Sequence, residues 1–283
     1  MTSRLGIIGH PVAHSLSPVF QGAALAHLGL DATYERWDTP AEALTDRLKA
    51  LRDPAVLGAN VTIPHKEAVI PLLDELGGQA GQVGAVNTII NREGRLLGFN
   101  TDGPGFVRAL RQEASFDVAG MSVLLLGAGG GASGIAFALA ASGAARIAIT
   151  NRTHDRAERL AADVAAHTTV NVAALTGEPE ITRYDAIVNC TSIGMSTGPD
   201  PLGLPCDLTS ARPGTLVADI VYSPEDTPLL RAATAQGLPT LPGLPMLIYQ
   251  GALAFELWTG QSAPVDVMFA AAREAIAARA KGG

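Results

Sequence analysis

Apolar runs of strand length alternate with helical periodicity along almost the whole chain. RLGIIG reads as a strand. SPVFQGAALAHLG reads as a helix with Ser17 as its N-cap, Pro18 at the first helical position and Gly29 as its stop. ATYERW, PAEALTDRLKAL and VLGANVTI continue as strand, helix and strand. KEAVIPLLDEL reads as a helix interrupted by Pro71, and GAVNTIINREGRLLGFN as two strands about an REG turn. After the helix GPGFVRALRQEA and the loop SFDVAG the rhythm restarts. MSVLLLGAGGGASGIAFALAASGAARIAITNRT is strand, glycine turn, helix and strand, followed by DRAERLAADVA, VNVAAL, YDAIVNCTS and GTLVADIVY. Two helices, PMLIYQGALAFELWTG and DVMFAAAREAIAARAKG, close the chain. The pattern predicts an α/β protein of two mostly parallel sheets with helices on both faces. The restart near Met121 predicts two domains, with the helix around residues 105–114 as the crossing.

The length of 283 residues suits this division, and 47% hydrophobic content supports sizeable cores. Charged residues make up only 17%, which argues against disorder. A net charge of −7 gives no reason to expect nucleic acid or an anionic membrane as partner. An anionic small substrate must then be held by local donors. The two cysteines, Cys190 and Cys206, have no C-x-x-C spacing, and the six histidines form no H-x-x-x-H helix pair, so no metal site is expected. The N-terminus leads straight into a strand, and no apolar run reaches membrane-spanning length. A cytoplasmic protein, monomer or homodimer, is the expectation.

Gly127, Gly129 and Ala132 form G-x-G-x-x-A between a strand and a helix, with a second strand, RIAIT, at the spacing a dinucleotide site requires. In such a turn Gly127, Ala128, Gly129, Gly130 and Gly131 bring backbone N–H groups to a pyrophosphate at a helix N-terminus. A glycine-rich turn without a ligand would look the same locally. The end of the second strand selects the cofactor. An NAD site normally carries Asp or Glu there, accepting from the ribose 2′-hydroxyl. This chain has Asn151, Arg152 and Thr153, with Arg156 close behind. A guanidinium attracts a 2′-phosphate that a carboxylate would repel, so NADP(H) is the expected cofactor.

Four polar clusters stand out in the N-terminal part: HSLSP (14–18), NVTIPHK (60–66), AVNT (85–88) and NTDG (100–103). Each follows a strand end or opens a helix, where open α/β sheets bind ligands. Ser15, Ser17, Asn60, Thr62, Lys66, Asn87 and Asp102 together suit a small polyhydroxylated ligand. Singly, Ser17 also reads as a helix cap, Asn87 and Asp102 as turn residues, and Thr62 as a strand residue.

GHPVAHSLSP, GANVTIPHK, GAVNT, NTDGPGF, LLLGAGGGA, NRT, NCTSIGM, DIVYSP and GLPMLIYQGALAFELW occur in this order. The set resembles the shikimate dehydrogenase family over nearly the whole chain. The resemblance implies a substrate-binding catalytic domain over 1–103, a Rossmann NADP-binding domain over 104–243, and helices over 244–283 that return to the catalytic domain, with the cleft between the domains. It implies reversible NADP-dependent reduction of 3-dehydroshikimate to shikimate, a step of chorismate and aromatic amino acid biosynthesis. Ser15 and Ser17 match the hydroxyls that hold the substrate carboxylate, with Tyr222 beside them. Thr62, Asn87 and Gln250 match residues that bond the ring hydroxyls or the catalytic lysine, and Asn60 fits the same set. Lys66 and Asp102 match the catalytic pair. Gly127 to Gly131 match the phosphate turn, Asn151 to Arg156 the 2′-phosphate clamp, and Ile220 and Gly243 positions lining the nicotinamide.

The residue types fit that chemistry. Hydride reduction of a ketone leaves an alkoxide that needs a proton, and Lys66 is the candidate donor. A free lysine pKa of about 10.4 suits an acid at neutral pH. A carboxylate beside it orients the ammonium and favours its charge, so stabilising the oxyanion and moving a proton are both open roles for Lys66, and sequence does not separate them. Four residues at three places depart from the family pattern: Gln21-Gly22, Pro104 and His65. The first bears on helix packing or on relations between the domains, the last on substrate range. A quinate/shikimate enzyme or a divergent paralogue is the nearest alternative. A binding protein without turnover would be expected to have lost Lys66 or Asp102, and a methylene-tetrahydrofolate-type dehydrogenase lacks the serine pair and NTDG.

Overall fold

The computed structural model describes residues 2–282. The chain divides into two compact units, one running to Thr101 and resuming at Ile248, the other spanning Asp102–Leu247. In the first unit the elements run β1 (Ser3–Gly9), α1 (Ser17–His27), β2 (Ala32–Asp38), α2 (Leu44–Ala50), β3 (Val56–Val61), β4 (Glu75–Leu76), α3 (Ala80–Val83), β5 (Thr88–Arg92) and β6 (Arg95–Phe99). The second unit adds α4 (Asp102–Glu113), β7 (Ser122–Leu126), α5 (Gly130–Ala141), β8 (Arg146–Thr150), α6 (His154–His167), β9 (Asn171–Ala174), β10 (Ala186–Asn189), β11 (Leu216–Asp219), α7 (Pro228–Ala235) and β12 (Thr240–Leu241). Helix α8 (Gly243–Thr259) begins in the second unit and ends in the first, followed by α9 (Val265–Gly282).

The first sheet has the order β2-β1-β3-β5-β6-β4. β1 is parallel to β2 and β3, whereas β5 is antiparallel to both β3 and β6. The hairpin between β5 and β6 turns on Glu93 and Gly94, whose φ values of 53° and 82° are those of a two-residue type I′ turn. β1 is buried continuously from Leu5, as a central parallel strand flanked on both faces must be. One face buries Ile8, Trp37, Val56, Ala59, Val61, Ile89 and Leu96 with Leu44 and Leu48 of α2. α1 packs on α9, and Gln21 of α1, fully buried, donates from Nε2 to the Gly251 carbonyl of α8 at 2.9 Å. The departure at Gln21 is thus a helix-packing residue.

The second sheet is wholly parallel, with the order β12-β11-β10-β7-β8-β9. Renumbered from its own first strand, this is the doubly wound order of dinucleotide-binding folds. β7, β10 and β11 are apolar and buried almost throughout. α4 and α5 approach closely, because a Cβ on Gly103 would collide with the Gly134 carbonyl oxygen and stand 2.7 Å from the Ala138 Cβ.

Two local expectations fail. The segment after Lys66 is not a helix: it makes turns, a 3-10 turn at Ile70–Leu72 and the short strand β4. Pro71 has no N–H to return to the Glu67 carbonyl, which accepts from Ile70 N at 3.2 Å instead. Arg52 and the Leu96 N–H then bind the Asp74 carboxylate and draw the chain to the sheet. Ser17 does not cap α1. Leu16 holds that place, no side chain caps, and Ser17 is buried in the first turn.

Candidate active site

In the first unit the sheet order reverses at β1, which has β2 on one side and β3 on the other. The loops leaving the carboxyl ends of β1 and β3 therefore part in opposite directions and leave a crevice. Backbone hydrogen bonds hold these strand ends together: Thr62 N to Ile8 O at 2.8 Å and His10 N to Ile63 O at 3.1 Å. The first loop presents Ser15 and Ser17, whose backbone N–H donates to Ser15 Oγ at 3.2 Å. The second presents Thr62 and, after Pro64, the half-buried Lys66. The Lys66 carbonyl accepts from Val86 N at 2.8 Å, which ties its backbone to the strand entry that carries Asn87.

His65 points the other way. It is buried, and its Nε2–H donates to the Thr39 carbonyl at 2.6 Å. It anchors the loop and is a packing residue.

Behind the crevice runs a continuous chain of hydrogen bonds. The Ser17 hydroxyl bonds the Tyr34 phenol, and burial pushes the pKa of that phenol far up. Tyr34 OH donates to Asn60 Oδ1 at 2.7 Å, and Asn60 Nδ2 donates to Thr88 Oγ1 at 3.2 Å. Thr88 donates to Asn87 Oδ1 at 3.0 Å, and Asn87 Nδ2 donates to Gln250 Oε1 of α8 at 3.3 Å. Thr101 N closes on Asn87 Oδ1 at 2.8 Å. Ser15, Ser17, Asn60, Thr62, Lys66, Asn87 and Gln250, all singled out in the sequence, thus share one unit. Thr88 and Thr101 lie in the clusters AVNT and NTDG but were given no role, and Tyr34 was missed. The signal was weak: each occupies a strand or strand end where its residue type needs no further reason.

The remaining candidates belong to the second unit. Asp102 is buried and opens α4. In the turn after β7, Gly127 has φ +110°, and its N–H donates to Thr150 O at 2.7 Å. A side chain there would be strained, and its Cβ would stand 3.1 Å from the Cys190 backbone. Around Gly129 and Gly130, by contrast, a Cβ would meet nothing within 4 Å. That open space lies where the first turn of α5 directs its N–H groups, so the cradle fits a pyrophosphate. Asn151 fixes the next loop to this turn, accepting from Ala128 N at 3.2 Å and donating to Thr153 O at 2.8 Å. Arg152 and Arg156 are exposed beyond it, and β8 ends in Thr150 without a carboxylate. The donor set fits a 2′-phosphorylated adenosine. A Cβ on buried Gly243 would stand 2.5 Å from the carbonyl oxygens of Ile220 and Val221, so α8 starts against the end of β11.

A further buried network organises the carboxyl ends of β10 and β11. The Asp219 carboxylate accepts from Asn189 Nδ2 at 3.0 Å, Val221 N at 3.0 Å and Thr227 Oγ1 at 2.7 Å. Burial raises its pKa, and these three hydrogen bonds oppose the rise. Asn189 Oδ1 in turn accepts from Thr191 Oγ1 at 2.7 Å. The loop carrying Ile220 and half-buried Tyr222 is therefore fixed at its root. Both cysteines are free; burial pushes Cys206 up to about 12 and Cys190 higher still, so neither is a reactive thiolate.

Known proteins with this arrangement agree along the chain. Residues 7–89 match the model described as the shikimate dehydrogenase substrate binding domain. Residues 109–196 match shikimate / quinate 5-dehydrogenase, and 243–273 the shikimate 5′-dehydrogenase C-terminal domain. The shikimate dehydrogenase (NADP(+)) of Methanopyrus kandleri is 46% identical over 97% of this chain and 95% of its own length. The chain belongs to the shikimate dehydrogenase family. The family's enzyme from Symbiobacterium thermophilum, also a shikimate dehydrogenase (NADP(+)), is 47% identical over 96% of this chain and 94% of its own. Among solved structures, the shikimate 5-dehydrogenase of Thermus thermophilus in complex with NADP(H) and shikimate superposes with a TM-score of 0.87 at 42% identity. It covers 96% of this chain and 99% of that one. The mixed α/β fold with a Rossmann-type unit is the one this family adopts. No helix among the described residues is long and apolar enough to cross a membrane.

Proposed function

We propose that this member of the shikimate dehydrogenase family catalyses the reversible NADP-dependent reduction of 3-dehydroshikimate to shikimate. One observation carries the reading. The crevice of the first sheet gathers hydroxyls, amides and one lysine on a single hydrogen-bonded frame, while the second sheet offers an open glycine cradle followed by arginines. The polar crevice matches a small polyol acid; the cradle matches a phosphorylated dinucleotide.

Hydride is the chemistry NADPH supplies when bound. The rest falls to the chain's own residues. Ser15 and Ser17, with Tyr222, hold the substrate carboxylate, the Ser17 hydroxyl turning to it from the Tyr34 phenol. Thr62, Asn87 and Gln250 orient the ring hydroxyls, and Asn60 braces Asn87 and Thr88 from behind. Lys66 gives its Nζ proton to the alkoxide oxygen formed on reduction, and its positive charge stabilises that oxygen as charge develops. Asp102 is its partner and holds a substrate hydroxyl. Gly127 to Gly131 with Ala128 receive the pyrophosphate, Asn151 to Thr153 and Arg156 the 2′-phosphate, and Ile220 and Gly243 flank the nicotinamide.

Steady-state rates with shikimate and quinate, each with NADP and NAD, test the proposal. High kcat/KM for shikimate with NADP alone is the expected result. A strong preference for quinate or for NAD would replace the reading with the quinate/shikimate alternative.

A further inference from the structure

The serine loop between β1 and α1 is gripped by two guanidinium groups that reach it from separate elements. Arg36, on β2, donates from Nη2 to the Ser15 carbonyl at 3.0 Å. Arg279, near the end of α9, donates from Nη1 to the His14 carbonyl at 3.0 Å. The two carbonyls are consecutive, so two fixed positive charges flank the residue whose hydroxyl accepts from Ser17 N. Both arginines are exposed. Asp38, two residues along β2 from Arg36, bonds His10 Nδ1 at 3.1 Å.

The chain as a whole has a net charge of −7, so it offers a small anion no long-range attraction, and any attraction must be local. Serine hydroxyls alone offer a carboxylate neutral hydrogen bonds, which do not distinguish it strongly from an ester or amide. A guanidinium held beside them adds a charge term that only an anion feels. We infer that Arg36 and Arg279 are specificity-determining residues that select the anionic group of the substrate, held in place by the carbonyls of Ser15 and His14. This rests on the carboxylate-holding role proposed for Ser15 and Ser17.

Neutralising them tests it. In Arg36→Gln, Arg279→Gln and the double variant, KM for shikimate should rise about threefold to tenfold per charge removed. kcat should stay within about twofold, and KM for NADP should not move. Raising salt from about 10 mM to about 200 mM should increase the wild-type KM for shikimate and that of the double variant much less. Arg36→Lys should recover most of the loss. The neutral methyl ester of shikimate separates charge from loop structure, since its KM should be the same in wild type and variants. An unchanged KM for shikimate overturns the inference, and so does an equal rise for acid and ester. Absence of wild-type turnover with shikimate would instead overturn the proposed function, a result read before any variant is made.

Discussion

The two sheets each have a point where strand order reverses, and they use it in opposite ways. At β1 and β3 the crevice is lined by side chains: serine, threonine, asparagine and lysine, braced from behind by Tyr34 and Thr88. At β7 and β10 the space next to the turn is lined by bare backbone, because Gly129 and Gly130 leave nothing within 4 Å of where a Cβ would sit. Side chains placed one by one can match an irregular pattern of hydroxyls. A run of N–H groups at a helix end matches a phosphate of any owner, and needs only room. The difference predicts that the first crevice is sensitive to removing atoms and the second to adding them.

The largest effect should come from Lys66→Ala. The nitrogen it removes is the proposed proton donor, so kcat should fall about 10²-fold or more, while KM for shikimate changes far less. Stopped-flow single turnovers would assign the loss to the chemical step. Near-normal turnover would take the lysine out of the mechanism.

Adding atoms to the second crevice comes next. Gly129 has φ −94° and an empty surround, so Gly129→Val should fold with an unaltered Tm. Its side chain would fill the space proposed for the pyrophosphate, and KM for NADP should rise about tenfold or more, the equivalent of losing one charge-assisted hydrogen bond. Gly127→Ala separates the two roles of glycine in this turn. There φ is +110° and Cys190 is 3.1 Å away, so about 1–2 kcal/mol of stability should go as well. If Gly129→Val also lowered Tm, the open surround would not be a binding space.

Tyr34→Phe probes the frame behind the first crevice. It removes the hydroxyl that joins Ser17 to Asn60 and leaves buried Asn60 Oδ1 without that donor. About 1–2 kcal/mol of stability should be lost. KM for shikimate should rise while KM for NADP stays constant, since no partner of Tyr34 in this chain of bonds lies in the second unit. A parallel rise in both would show that the frame does not belong to the first crevice alone.

Much of this was legible in the sequence, and the exceptions share a cause. Alternation of strand and helix, the glycine turn and the arginine after β8 are local signals, and the structure has them where the pattern put them. The segment after Lys66 reads as a helix by apolar spacing, yet Arg52 and Leu96 from elsewhere in the chain bind its Asp74 and pull it into β4. Ser17 reads as a cap, yet a phenol from the next strand claims its hydroxyl. Tyr34 and Asp219 looked like ordinary strand residues, because a buried hydrogen-bond network leaves no periodicity behind. Even His65, beside the lysine and the usual acid–base residue near neutral pH, is taken by the Thr39 carbonyl. Tertiary partners decide such cases, and sequence spacing does not report them.

The smallest predicted effect lies at the rim of the first sheet, away from both crevices. Glu35 accepts from Arg4 at 2.8 and 2.9 Å and from Trp37 Nε1 at 2.8 Å. These donors, Arg4 foremost, lower its pKa from 4.5 to about 2. A lowered folded-state pKa means stability that is present above pH 4.5 and lost as pH falls towards 2. The carboxylate is 36% exposed and the guanidinium 48%, so solvent screening reduces the contribution to about 0.5–1 kcal/mol. Arg4→Met should therefore lower the urea midpoint slightly at pH 7, and the difference from wild type should close between pH 4.5 and about 2. The Arg4 guanidinium also lies 5.8 Å from the centre of the Trp37 ring. A deficit that persists at pH 2 would assign the stabilisation to that stacking, because protonating Glu35 leaves the arginine over the ring untouched.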